Sequence, residues 1–241
     1  MSTYLVALVV SDFVCEGGDN NVDMPLGANI SVQVCARPTA KDELAYPLSA
    51  ARDIIKFFEQ YYQTQYPFPK CDHVAVKDFR FGAMENWGLA IYQERNLLYN
   101  AKTTTKAAEQ NIVRIISHEI AHMWFGNLVT PKWWSDLWLN EGFARYMENV
   151  GTNSIRPTWK MFESHSNLIF TVMYSDAKES TRAVTSTVIR PTEIDTATDS
   201  TITYGKGSAI VRMINYLLGD ATFNRGLSVS FYYYQDAKIS I

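Results

Sequence analysis

Alternating apolar and β-branched positions over residues 2–15 predict a first strand, with Tyr4 to Val10 as its most apolar part. Glu16 to Gly27 is polar, with Gly and Asn, and marks the best boundary in the chain. A lone strand cannot satisfy its own backbone, so this one is expected to belong to a unit whose other strands lie elsewhere. Ile30 to Ala36 alternates again and ends at Arg37-Pro38. Leu48 to Gln63 has the three-and-four spacing of an amphipathic helix, and Tyr66-Pro67-Phe68-Pro69 stops it. His73 to Phe79 and Trp87 to Gln93 predict two short strands. From there the period changes to that of helices: Lys106 to Phe125, Ser135 to Glu148, a segment from Pro157 through Phe170, and Lys206 to Leu218. Residues 175–203 are polar and threonine-rich and predict mostly loop. Strands first and helices later indicate an α+β fold.

The helix over Lys106 to Phe125 carries the chemistry. Thr103 to Thr105 offer N-caps and Gly126 a C-terminal stop. Ile112, Ile115, Ile116 and Met123 form a broad apolar stripe that also holds Glu119. A carboxylate on such a face needs a partner, because burying a lone charge is expensive. His118 and His122 supply the reason. At about 100° per residue they stand roughly 40° apart on the helix, so both imidazoles can face one ion. Glu119 lies roughly 100° round from His118, better placed as a base acting on metal-bound water than as a third ligand. Glu141, on the next helix, completes two nitrogens and a carboxylate oxygen, the donor set of an open catalytic zinc site. The bare His-Glu-x-x-His pattern also fits two ordinary histidines on an amphipathic helix.

Composition narrows the class. With 241 residues, 47% hydrophobic and 20% charged, the chain can bury a sizeable core as one large domain or two. A net charge of −3 gives no footprint for nucleic acid. No apolar run is long enough to span a bilayer, so no membrane segment is read in this chain. No basic segment precedes Tyr4, so no signal peptide is read either. Cys15, Cys35 and Cys71 form no metal-type pair, and their odd number gives no disulfide framework. Asn29-Ile30-Ser31 is a glycosylation sequon. The aromatic residues fill the core or line a pocket. His73 and His165 have no partner at ligand spacing and read as structural or surface residues. Asp136 and Glu148 flank Glu141 and read as a solvated helix face, with orientation of a ligand histidine as the other role. No spacing argument assigns Asn140.

Four segments then stand in order: Gly82-Ala83-Met84-Glu85-Asn86, His118 to Asn127, Trp133 to Ala144, and Tyr204-Gly205-Lys206-Gly207. Together they resemble the zinc aminopeptidases related to aminopeptidase N, a gluzincin family, over nearly the whole chain. Similarity is greatest to its membrane-type microsomal and gut members. The resemblance implies a thermolysin-like catalytic domain, a mixed-sheet lobe and a helical lobe with one zinc ion between them. It implies His118, His122 and Glu141 as zinc ligands and Glu119 as general base. It further implies that Glu85 holds the substrate's free α-amino group beside Gly82, Ala83 and Met84, with Glu141 contributing, and that Tyr204 steadies the tetrahedral intermediate. Without the resemblance, Glu85 reads as a polar turn and Tyr204 as a tyrosine in a Gly-bounded turn.

The family pattern also implies peptide substrates with a free N-terminus, a homodimer in the full-length parent, and a place on the extracellular face of the plasma membrane; a cytoplasmic location is the alternative. Measured against it, residues 1–27 correspond to the last strand and linker of a preceding β domain, and 28–241 to a catalytic domain incomplete at its C-terminus. Thr181-Arg182-Ala183-Val184 departs from the family's usual Ser-His-Pro-hydrophobic run. The expected function is zinc-dependent removal of N-terminal residues. The competing readings are an incompetent fragment serving as a binding or antigenic module, and a related zinc endopeptidase, against which Glu85 argues.

Overall fold

The computed structural model describes residues 1–19, 22–27, 29–234 and 238–239. Residues 20 and 21 of the polar connection, and the chain end at 235–237 and 240–241, lie outside the described residues. The fold is α+β, with a mixed sheet on one side and a helical lobe on the other. Strands β1 (Val14–Gly17), β2 (Val22–Asp23), β3 (Asn29–Ala36), β4 (Lys70–Val76), β5 (Ala83–Met84) and β6 (Leu89–Gln93) form the sheet. Its order is β1-β3-β4-β6-β5, with β2 also paired to β3. The β3–β4 and β4–β6 ladders are parallel, and the two flanking pairs, β1–β3 and β5–β6, are antiparallel. The parallel step from β3 to β4 needs a long crossover, and helix α1 (Ala45–Tyr62) supplies it. Ile30, Val32 and Val34 of β3 turn inward at period two, and Cys71 to Ala75 of β4 are buried on both faces.

The helical lobe holds α2 (Lys106–His122), α3 (Leu137–Ile155), α4 (Met161–Asp176), the single turn α5 (Ile194–Ala197), α6 (Gly207–Leu218) and α7 (Asp220–Tyr234). Thr105 caps α2 by accepting from the Ala108 N–H at 3.2 Å, a contact worth about 1 kcal/mol. Ile112, Val113, Ile116 and Ile120 point from α2 into the common core. Trp124, fully buried against Phe58, Tyr62 and Tyr66, ties the end of α2 to α1. Truncating so large a core side chain costs about 3–5 kcal/mol.

Three expectations need correction. The strand over residues 2–15 exists only as Val14–Gly17; Thr3–Leu5 is a 3₁₀ turn. Val6, Leu8 and Val10 alternate as a strand should, yet all three are exposed, and alternation without a ladder partner makes no strand. The loop over 175–203 contains α5 and the start of a π-helical turn, and α7 follows a helix end at Gly219, whose φ of 75° reverses the chain. Of the two readings left open for His73 and His165, structural or surface, both residues follow the structural one. His73 Nδ1 pairs with the Tyr92 hydroxyl at 2.8 Å, and burial lowers its pKa to about 3. His165 Nε2 lies 3.1 Å from Ser208 Oγ.

The third correction concerns cysteine. Cys15 and Cys35 face each other across the β1–β3 ladder with Cα atoms 4.1 Å apart, and they form a disulfide; Cys71 stays free and buried. Parity of the count said nothing about whether two strands would bring a pair into register. The bond spans 20 residues of sequence. Closing such a loop restricts the unfolded chain by about 3 kcal/mol. A Cys15→Ser, Cys35→Ser double variant is therefore expected to lose about 3 kcal/mol of unfolding free energy in denaturant titration. An unchanged midpoint would show that the cross-link adds no stability.

Candidate active site

Helix α2 presents His118 and His122 one turn apart, and α3 crosses it so that Glu141 faces both. The three donor atoms form a near-equilateral triangle. His118 Nε2 and His122 Nε2 are 3.0 Å apart, and Glu141 Oε2 lies 3.3 Å from the first and 3.2 Å from the second. Tetrahedral zinc with bonds of about 2.0–2.2 Å has ligand–ligand edges of about 3.3–3.6 Å. The outward nitrogens fix the tautomers. His118 Nδ1 donates to Glu148 Oε2 at 3.0 Å, and His122 Nδ1 donates to Asn140 Oδ1 at 2.6 Å and to the Phe125 carbonyl at 3.0 Å. Neutral imidazoles so tethered direct both Nε2 lone pairs at one point. Two lone pairs facing at 3.0 Å need a proton or a cation between them. Burial alone would raise the Glu141 carboxyl, but positive charge at the triangle, carried by the two histidines when they are protonated, holds it far below the ordinary carboxylate range. These donors fit a divalent zinc-type ion.

Backbone close approach brings α6 and the turn before it up to the triangle. Gly142 of α3 meets Gly207 of α6 so tightly that a Cβ on Gly142 would stand 2.8 Å from the Gly207 carbonyl carbon. That contact explains a glycine inside a helix, where it costs about 1 kcal/mol relative to alanine. It also draws in the π-helical turn Ser200–Lys206, a form common at functional sites. The turn stacks the Tyr204 ring on His118, with centroids 6.1 Å apart and planes 13° apart. Burial first, and the Glu141 carboxylate second, keep the Tyr204 hydroxyl protonated. Gly126, at φ 116°, leaves the space that Asn140 fills; a Cβ there would collide with Asn140 Oδ1.

Glu119 and Glu85 lie beside His122, with their ligating atoms and that imidazole all within 4.8 Å of one another. Glu119 Oε2 is buried without a hydrogen-bond partner among the described residues, and burial pushes its carboxyl up to about 8. Glu85 sits in the turn between edge strand β5 and β6. Its Oε1 accepts from Asn140 Nδ2 at 3.2 Å and from the Tyr4 hydroxyl at 3.2 Å. Gly82, Ala83, Met84 and Glu85 line one wall of a cavity of about 710 Å³ that also exposes His118, Glu119, His122, Glu141 and Tyr204.

A sequence profile of the Peptidase family M1 domain matches residues 46–240. The chain belongs to peptidase family M1. It is 41% identical over 241 residues to aminopeptidase N of Mus musculus, covering 98% of this chain and 24% of that protein. It is 40% identical over 227 residues to endoplasmic reticulum aminopeptidase 2 of Bos taurus, covering 94% and 23%, and 41% identical over 233 residues to aminopeptidase Ey of Gallus gallus, covering 94% and 23%. The chain spans about a quarter of the length of these relatives.

Within this M1 domain, three residues had no assigned place at the site from spacing. Glu148, read as a solvated face, is buried: Oε2 accepts from His118, and Oε1 accepts from Arg114 at 2.7 Å and Arg145 at 2.8 Å. Burial would raise its carboxyl, but the two guanidinium groups and His118 hold it well below the usual range. The findable signal was register, since Arg114 precedes His118 by one helical turn and Arg145 precedes Glu148 by three residues. Asn140 bridges the two halves of the site, accepting from His122 while donating to Glu85. Asp136 closes the 3₁₀ turn Trp134–Asp136 before α3.

Proposed function

We propose that this chain is the catalytic part of a zinc aminopeptidase that removes the N-terminal residue of peptides. The observation that carries the reading is the triangle of His118, His122 and Glu141 with two further carboxylates, Glu119 and Glu85, beside it on one cavity wall. His118, His122 and Glu141 would hold one zinc ion. When bound, zinc lowers the pKa of a water toward about 7 and polarises a carbonyl. Glu119, buried and with Oε2 unpartnered among the described residues, takes a proton from the attacking water and passes it to the departing amine. Tyr204, kept protonated, donates to the developing oxyanion. Glu85 fixes the α-ammonium, with Gly82, Ala83 and Met84 beside the substrate backbone. A fixed anion at a set distance from the triangle admits a chain end and rejects a chain middle, which favours an aminopeptidase over an endopeptidase.

The test is metal analysis together with peptide cleavage. The expected result is about one zinc per chain and chelator-sensitive cleavage of a free-amine peptide, with its N-acetylated form untouched. Zinc bound without turnover would support the binding-module alternative, and equal cleavage of both peptides would support an endopeptidase.

A place outside the cytoplasm is the compartment this reading favours. The Cys15–Cys35 disulfide suits an oxidising environment, and Asn29 of the sequon is exposed. Among the described residues, no helix is long and apolar enough to cross a membrane.

A further inference from the structure

Two groups of charge line the M1 cavity. Beside His122 stand the carboxylates Glu85 and Glu119. Beyond His118 stands Glu148 with both arginines on its Oε1, Arg114 at 2.7 Å and Arg145 at 2.8 Å. One guanidinium suffices to neutralise one carboxylate; two leave an excess positive charge in this group. Arg114 also donates to Asn111 Oδ1 at 2.7 Å through its second nitrogen. Each guanidinium carries five N–H donors in a planar fork. Both side chains line the cavity and remain partly open to it, at 24% and 26% exposure. An excess cation in a confined site is costly until an anion joins it.

We propose that Arg114 and Arg145 form a carboxylate subsite on the departing side of the scissile bond. The subsite selects peptides that carry a carboxylate one or two residues past the cut, as a free C-terminus or as an acidic side chain. This rests on the aminopeptidase reading, which puts the α-ammonium at Glu85 and the first carbonyl at the histidine pair. From there the peptide runs past His118. The arginines stand one imidazole and one carboxylate away, a separation on the order of 8–10 Å, which two or three extended residues cover at roughly 3.5 Å each. The substrate class is therefore short, zwitterionic peptides or peptides acidic near the cut.

Binding is measured calorimetrically on the zinc-loaded chain carrying Glu119→Gln, so that no peptide is consumed. Leu-Gly-Gly is compared with its C-terminal amide, and Leu-Gly-Glu-amide with Leu-Gly-Gln-amide; the two pairs separate a terminal from a side-chain carboxylate. The acid of at least one pair is expected to bind about ten-fold tighter or better than its neutral partner. That ratio is expected to fall to about one in Arg145→Gln and in the Arg114→Gln, Arg145→Gln double variant, and to recover in part in Arg145→Lys. A purely structural role in holding Glu148 would change zinc content and stability, measured in parallel, without moving the ratio. Equal affinities within both pairs, or a ratio unchanged in the variants, would overturn the subsite. N-acetyl-Leu-Gly-Gly binding as tightly as Leu-Gly-Gly would instead overturn the amine anchor and hence the aminopeptidase reading.

Discussion

Glu119→Gln is expected to bind as much zinc as the parent chain and to lose about 10²–10⁴ in turnover. The substitution keeps the volume and one oxygen of the side chain and removes the atom that can take a proton. Glu119 is next to the triangle but not a corner of it: the nearest set that includes it is formed with Glu85 and His122. Its Oε2 has no partner among the described residues, an arrangement that stability alone would not favour. Burial raises its carboxyl to about 8, and a cation held at the triangle would lower it again, toward the range in which a general base works at neutral pH. Zinc content by metal analysis and initial rates on a free-amine peptide check the claim together. A zinc-loaded variant with parental rates would remove Glu119 from the chemistry, and a variant without zinc would make it a ligand instead.

How much of this was legible beforehand follows from the physics of each element. His118, His122 and Glu119 were readable because a helix converts spacing into direction, so a five-residue pattern fixes which side chains share a face. Glu141 was readable as a donor, but its direction depends on how α3 crosses α2. Gly151, where a Cβ would meet Ser117 of α2, belongs to that geometry, and a glycine inside a helical pattern signals only a local penalty. Tyr204 stands in a π-helical turn that no periodicity announces. Glu85 was legible only through the family resemblance, since spacing alone read it as a polar turn; the edge of the sheet and α2 bring it beside His122. Glu148 was misread because an acidic residue on an amphipathic helix is usually solvated; its two arginine partners come from α2 and from its own helix, and only packing joins them. The disulfide was missed for a similar reason, since cross-strand register is set by the ladder and not by the number of cysteines.

The second large effect is expected at Glu85. Glu85→Gln should leave zinc content unchanged and weaken cleavage of free-amine peptides by on the order of 10²–10³, the usual scale for unpairing one member of a buried charge pair. Glutamine retains a carbonyl oxygen for the donors already present, Asn140 Nδ2 and the Tyr4 hydroxyl, both on Oε1. What it loses is the negative charge that an α-ammonium would meet. Those two donors occupy one oxygen and leave the other available, which is the economy expected of a carboxylate held in place to receive a cation. Because Asn140 also accepts from His122 Nδ1, a disturbed Glu85 could reach that histidine through the amide. Glu85→Ala, which removes the acceptor as well, separates the two effects. If Gln and Ala lower free-amine cleavage equally while zinc stays bound, the charge is what matters. If only Ala lowers it, and zinc falls with it, Glu85 acts by holding Asn140, and the chain end must be recognised by another group.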